Sequence, residues 1–162
     1  MKQLNEQEIL HLAASYCSMA ERCIYDVRKK IASAGASPET AERIIAHLLK
    51  EKFIDEARYC RSFVNDKFRF NRWGRIKISY ELRGKNIDDS LINEAIANID
   101  EDEYESALFA LLKDKKRTVK GKTEQDIFAK LYSFAVSKGF ESDLTVRQLK
   151  KNFRFLSPFE GG

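Results

Sequence analysis

Asn71 to Asn86, NRWGRIKISYELRGKN, sets five basic side chains (Arg72, Arg75, Lys77, Arg83, Lys85) and one acid, Glu81, around the chain's only tryptophan, Trp73. A second segment, Lys113 to Lys122, KDKKRTVKGK, has six basic residues in ten. Such side chains make and break no bonds. Cationic groups interleaved with an aromatic ring hold phosphates or acidic side chains by charge, and bases by the ring face. A single basic run is more often a solvated face; a pair of them makes a continuous basic surface a working expectation.

Bond-making chemistry finds no constellation. His11 and His47 lie far apart in the sequence, each on a predicted helix, and read as ordinary surface or half-buried residues. Gly121-Lys122-Thr123 resembles the end of a phosphate loop, but no glycine precedes it at the needed spacing and no strand leads in. The acids Asp100, Glu101, Asp102, Glu103 and Glu105 suit a helix start, where the dipole favours them, better than a metal. A non-enzyme is expected, with no cofactor and no metal.

The chain's 162 residues, 43% hydrophobic and 33% charged, hold enough apolar material for a core. Only two prolines and seven glycines interrupt long Ala-, Leu-, Lys- and Glu-rich segments, which argues for helix. The net charge of +4 permits a nucleic-acid or acidic-protein partner without demanding one. Cys17, Cys23 and Cys60 show no CxxC spacing and read as core fillers in a reducing compartment. The first residues, MKQLNEQEIL, lack a signal's apolar run, and no 18-residue apolar stretch occurs, so the expected location is cytoplasmic, away from membranes.

The elements that must position the basic residues are helices. Asn5-x-x-Glu8 and Ser18-x-x-Glu21 read as capping boxes, and Ser37-Pro38-Glu39 as a cap followed by proline at the first helical position. Asp55, Asp88 or Asp89, the acids from Asp100, and Thr123 start further helices. Apolar residues follow at helical spacing, as in Val27 and Ile31 or Phe128, Leu131 and Ala135. Eight or nine helices are predicted, and no segment alternates like a strand.

Their order repeats. Val27-x3-Ile31-x3-Gly35 aligns with Ile78-x3-Leu82-x3-Asn86 at an offset of 51, and with Leu131-x3-Ala135-x3-Gly139 a further 53 residues on. Each stripe ends in a residue tolerant of left-handed backbone, which stops a helix. The fold expected is all-α: tandem three-helix, helix-turn-helix-like repeats stacked into an elongated, curved array. The division predicted is an N-terminal helix (1–17), repeat 1 (18–70), repeat 2 (71–117), repeat 3 (118–156) and a frayed tail (157–162). Phe63, Ile78, Leu82, Leu108 and Leu131 are the expected core. Trp73, Ile76 and Tyr80 form a second stripe, available either to a neighbouring repeat or to a partner.

FIDEARYCRSFV (Phe53 to Val64), followed by RWGRIKISYELRGKNI (Arg72 to Ile87), resembles the regulatory RecX family, over about residues 10 to 155. The chain departs from the family pattern at Glu56, where a second aspartate is usual, and at Asn86, where glycine is usual. The resemblance implies three tandem three-helix repeats and a partner, the RecA recombinase, bound in the groove of its filament on single-stranded DNA. It also implies restraint of the recombinase, ATPase and coprotease activities within DNA repair, homologous recombination and the SOS response. On this reading the chain is a monomer, touching single-stranded or double-stranded DNA through the filament or directly. The residues assigned to RecA or DNA are Arg69, Arg72, Trp73, Arg75, Lys77, Arg83 and Lys85, with Lys115, Lys116, Arg117, Lys120 and Lys122. A stand-alone helix-turn-helix DNA-binding protein or repressor is the competing reading, and a pure protein scaffold the third.

Overall fold

A computed structural model describes residues 3–155, and among them the chain forms nine helices and no strand. They are α1 (Glu6–Met19), α2 (Ile24–Ser33), α3 (Pro38–Lys50), α4 (Glu56–Arg69), α5 (Arg75–Arg83), α6 (Asp89–Ala97), α7 (Glu101–Thr118), α8 (Glu124–Ser137) and α9 (Ser142–Asn152). The expected tail, 157–162, lies outside the described residues.

Most of the caps hold. Asn5 and Glu8 close a reciprocal capping box, Ser37 accepts from the Thr40 amide at 3.2 Å, and Asp55 from that of Arg58 at 3.0 Å. Asp100 and Thr123 do the same for α7 and α8. Ser18 is a correction. Helix α1 runs through it to Met19, its hydroxyl donates to the Ala14 carbonyl at 2.9 Å, and Glu21 is taken by Arg58 at 2.6 Å. The start of α2 is capped from outside: the Ile24 amide donates to Glu56 at 3.3 Å. Glu56 is the residue that departs from the family pattern, and its carboxylate serves a neighbouring helix while Asp55 caps its own.

All the aligned turn residues take left-handed backbone, with φ of +96° at Gly35, +59° at Asn86 and +100° at Gly139. The stripes that precede them are buried: Val27, Ile31, Ile78, Leu82, Leu131 and Ala135 are at or near zero exposure.

The chain divides into two compact units, Met1–Phe63 with Glu81–Ala95 (unit 1) and Val64–Tyr80 with Ile96–Gly162 (unit 2). In unit 1, α1, α2 and α3 pack on one another around Ile9, Val27, Ile31, Ile44 and Leu48. In unit 2, α7, α8 and α9 pack together, and Tyr104, Leu108, Leu131, Phe140 and Leu149 are fully or almost fully buried. The helices group one position earlier than the sequence division: α1 belongs with α2 and α3, where the apolar pair Ile9 and Ala13 is buried, instead of standing alone. Phe63, expected in the core, is half-buried with its ring 5.8 Å from that of Tyr59. Cys23 and Cys60 are buried thiols, and burial pushes each up to about 11.

Candidate functional site

The start of α5 is seated on the turn between α8 and α9, within unit 2. The Gly74 amide donates to the Lys138 carbonyl at 2.8 Å, and the Ile76 amide to that of Gly139 at 3.0 Å. The end of one helix therefore supplies acceptors to the unsatisfied donors at the start of another. Backbone approaches backbone so closely that a Cβ on Gly74 would lie 2.4 Å from the Gly139 carbonyl, and one on Gly139 would lie 2.4 Å from Lys77 Cβ. Both positions demand glycine for space, and Gly139 for its φ as well.

This junction sets the surroundings of Trp73. Its indole is half-buried, with the ammonium of Lys67 4.9 Å and that of Lys77 4.6 Å from the ring centroid. Arg72, just before it, is held at φ +58°, a strained backbone for a non-glycine residue. The Lys138 ammonium donates to the Asn71 carbonyl at 2.8 Å. Burial, then the nearby charges of Lys77 and Arg72, holds Lys138 below the usual lysine range. Further along α5, Ile76 and Tyr80 are 55% and 73% exposed; they are not packed away.

Arginines among the sequence-nominated residues are engaged by carboxylates. Arg75, whose side chain is 24% exposed, bonds Glu141 at 2.7 Å and Glu101 at 2.9 Å, with its guanidinium 3.8 Å above the Tyr104 ring. Burial alone would lower its pKa, and those carboxylates outweigh it. Tyr104, fully buried, completes the knot: its hydroxyl accepts from the Arg75 amide at 3.0 Å and donates to Glu141 at 2.5 Å. Lys85 behaves like these arginines, bonding Asp26 at 2.9 Å inside unit 1. Arg75 and Lys85, both assigned to RecA or DNA from the sequence, each pair with a half-buried carboxylate of their own unit. Arg69 pairs with Glu103 at 3.4 Å, Arg72 with Asp114 at 2.8 Å and Arg83 with Asp89 at 3.1 Å, all at the surface. Arg117 lies 3.8 Å from Asp114, a weak and exposed pair.

The lysines differ. Among the described residues, Lys77, Lys115, Lys116, Lys120 and Lys122 form no ion pair with a carboxylate. Lys115 sits 4.7 Å above the Phe134 ring, and Lys116 between 5 and 6 Å from the rings of Phe153 and Phe155. Arg72 on Asp114 joins the two basic segments of the sequence: Asp114 precedes Lys115 on α7, and Lys138 closes the gap from α8. Sequence reasoning missed Lys67, Lys130 and Lys138, which belong to neither basic run. Among the described residues no group of three or more His, Cys, Asp or Glu side chains could hold a metal, and no helix is long and apolar enough to cross a membrane.

The architecture defines an all-α protein of tandem three-helix units, one of which carries a lysine-rich face. Residues 55–96, α4 through most of α6, match the family model described as RecX, second three-helix domain. The Regulatory protein RecX of Prosthecochloris aestuarii is 32% identical over 151 residues, covering 91% of this chain and 95% of that protein. That of Clostridium tetani is 37% identical over 123 residues, covering 74% of this chain; the chain spans only 54% of that longer relative. A crystal structure of RecX from Lactobacillus salivarius superposes with a TM-score of 0.79 at 18% identity, over 93% of this chain and 97% of that one. A second crystal structure, of a regulatory protein RecX, gives 0.78 at 23% identity, over 87% of this chain and 73% of that one. The chain belongs to the RecX family of regulatory proteins. The matched domain begins with α4, in phase with the helix grouping seen in the fold.

Proposed function

We propose that this chain is a non-enzymatic, cytoplasmic, monomeric regulator that binds RecA filaments on single-stranded DNA. It inhibits recombinase, ATPase and coprotease activity by limiting filament growth or stability. Family membership supports the reading. The observation that carries it beyond the family is the face of unit 2 whose lysines are held by rings and carbonyls and not by carboxylates. A filament of acidic protein and polyphosphate is a partner such a face attracts over distance, with a strength that falls as salt rises.

The test adds the protein, well below stoichiometric amounts, to preformed RecA filaments on single-stranded DNA and follows ATP hydrolysis. Progressive loss of hydrolysis is expected, and Lys77→Glu with Lys115→Glu should blunt it. Unchanged hydrolysis at every ratio, with RecA from the same organism, overturns the reading.

A further inference from the structure

Where α5 is seated on the α8–α9 turn of unit 2, the Lys138 side chain is held in place but not neutralised. Its backbone is fixed, because the Lys138 carbonyl accepts from the Gly74 amide at 2.8 Å. Its ammonium donates to the Asn71 carbonyl at 2.8 Å, in a hydrogen bond that is itself exposed. Lys77 and Arg72 stand close enough for their charges to act on it. The stem of Lys77 is kept there by the turn, since it fills the space a side chain on Gly139 would need. The carboxylates linked to this junction are already taken, Asp114 by Arg72 and Glu141 by Arg75 and Tyr104. Among the described residues none pairs with Lys138. We propose that Lys138 is a modification site, acylated at Nζ by small acyl phosphates whose phosphate group is held by Lys77 and Arg72.

A lysine is acylated as the free amine, so its rate depends on the supply of that form and on the encounter with the donor. The junction favours each. Partial burial and the charges of Lys77 and Arg72 disfavour the ammonium, which holds Lys138 below the usual lysine range. The same cations attract a dianionic donor and raise its concentration beside the amine. In the reaction Lys138 Nζ, having released one proton to solvent, attacks the acyl carbon. The C–N bond forms as the bond between acyl carbon and phosphate oxygen breaks. The departing phosphate takes that bond's electron pair and one amine proton, and a neutral secondary amide remains. This amide keeps an N–H for the Asn71 carbonyl and ends the repulsion with Lys77 and Arg72, so the junction can accommodate it. The lysine face of unit 2 loses one charge, which makes the site a means of tuning that face.

The experiment incubates the full chain with acetyl phosphate and follows the acetylation of each lysine by peptide mass spectrometry. The exposed Lys29, Lys50 and Lys151 serve as internal references. Lys138 should react about tenfold faster than these, the low end of what a like-charged cleft does for an oppositely charged reactant. Lys77→Gln, checked for its fold by circular dichroism, should cut that lead by roughly half or more. A Lys138 rate equal to that of the references overturns the proposal, as does a lead that survives undiminished in folded Lys77→Gln. An equal lead with acetic anhydride, which carries no phosphate, overturns the role given to Lys77 and Arg72. Wild-type protein alone supplies a second measurement, the pH profile of the initial rate. Lys138 should reach half its maximal rate below the ordinary lysine value of about 10.4, and a midpoint at or above that value overturns the proposal. None of these readings involves RecA or DNA, so the regulator reading and this one can fail separately.

Discussion

The Tyr104 hydroxyl is the smallest group whose removal tests whether Arg75 is a structural residue. Tyr104→Phe keeps the ring, its packing 5.1 Å from Phe140 and its place beneath the Arg75 guanidinium, so no cavity opens. What disappears is an acceptor for the Arg75 amide and a donor to Glu141. A neutral hydrogen bond contributes about 1 kcal/mol and one to a charged group about 1.5–3 kcal/mol. Glu141 is 27% exposed and can recruit water, which returns part of the loss, so the expected destabilisation is about 2 kcal/mol. For a chain of this size that is a fall in Tm of roughly 4–8 °C. Urea unfolding followed by the fluorescence of Trp73 reads the right unit, since Trp73 is the sole tryptophan and lies in unit 2. Tyr80→Phe, at an exposed tyrosine, is the matched control and should be silent. A Tyr104→Phe midpoint within about 0.5 kcal/mol of wild type, or a Tyr80→Phe loss of equal size, refutes the knot as a stabilising element.

Other perturbations test the junction and the paired lysine. Gly139→Ala must hold a side chain at φ +100° and drive Lys77 away, and should cost about 2 kcal/mol or more by urea midpoint; Asn86→Gly, at φ +59°, should be close to neutral. Asp26 is 18% exposed, and burial alone would raise its pKa, but the hydrogen bonds from Lys85 and Cys23 outweigh burial and hold it below 3.8. A depressed carboxyl contributes stability that is complete above its unfolded value and lost as pH falls through its folded one. Wild-type protein should therefore lose stability on acidification below about pH 4, and Asp26→Asn should show a shallower loss in that window and a penalty of about 2 kcal/mol at neutral pH. Chemical denaturation at a series of pH values checks both.

Local rules explain what was legible before the fold was known. Helix caps and left-handed stops depend on residues within a few positions of each other, so Asn5, Ser37, Thr123, Gly35, Asn86 and Gly139 could be read directly. The same locality explains the failure at Ser18, where the motif was present but the buried face of Ile9 and Ala13 carried α1 past it. It also explains the offset in the repeats: the periodic stripe marks a helix, not the partners it packs with. Contacts at long separation were invisible. Arg75 finds Glu101 and Glu141 at 26 and 66 positions' distance, and Lys85 finds Asp26 at 59. Lys138 is a lone lysine in its segment, and only the seating of α5 on the Gly139 turn brings it to Arg72 and Lys77.

The division between engaged arginines and open lysines changes how this surface must be probed. A guanidinium forms directional, forked bonds with carboxylates, so folding recruits arginines to join helices: Arg69 to Glu103, Arg72 to Asp114, Arg75 to Glu101 and Glu141. An ammonium on a long apolar stem instead rests on an aromatic face and keeps its charge available, as Lys77 does on Trp73 and Lys115 on Phe134. Reversing the charge of Arg75 would bring an acid against Glu141 and destabilise unit 2, and any loss of binding would report on folding. Reversing Lys77 or Lys115, both half-buried, removes a charge and a ring contact but leaves every carboxylate pair intact. If the lysine variants keep wild-type stability yet lose salt-dependent binding while Arg75→Met loses stability first, the arginines hold the surface in place and the lysines touch the partner. Equal stability loss in both classes would mean that the lysines, too, belong to the fold, and that the contact surface lies elsewhere.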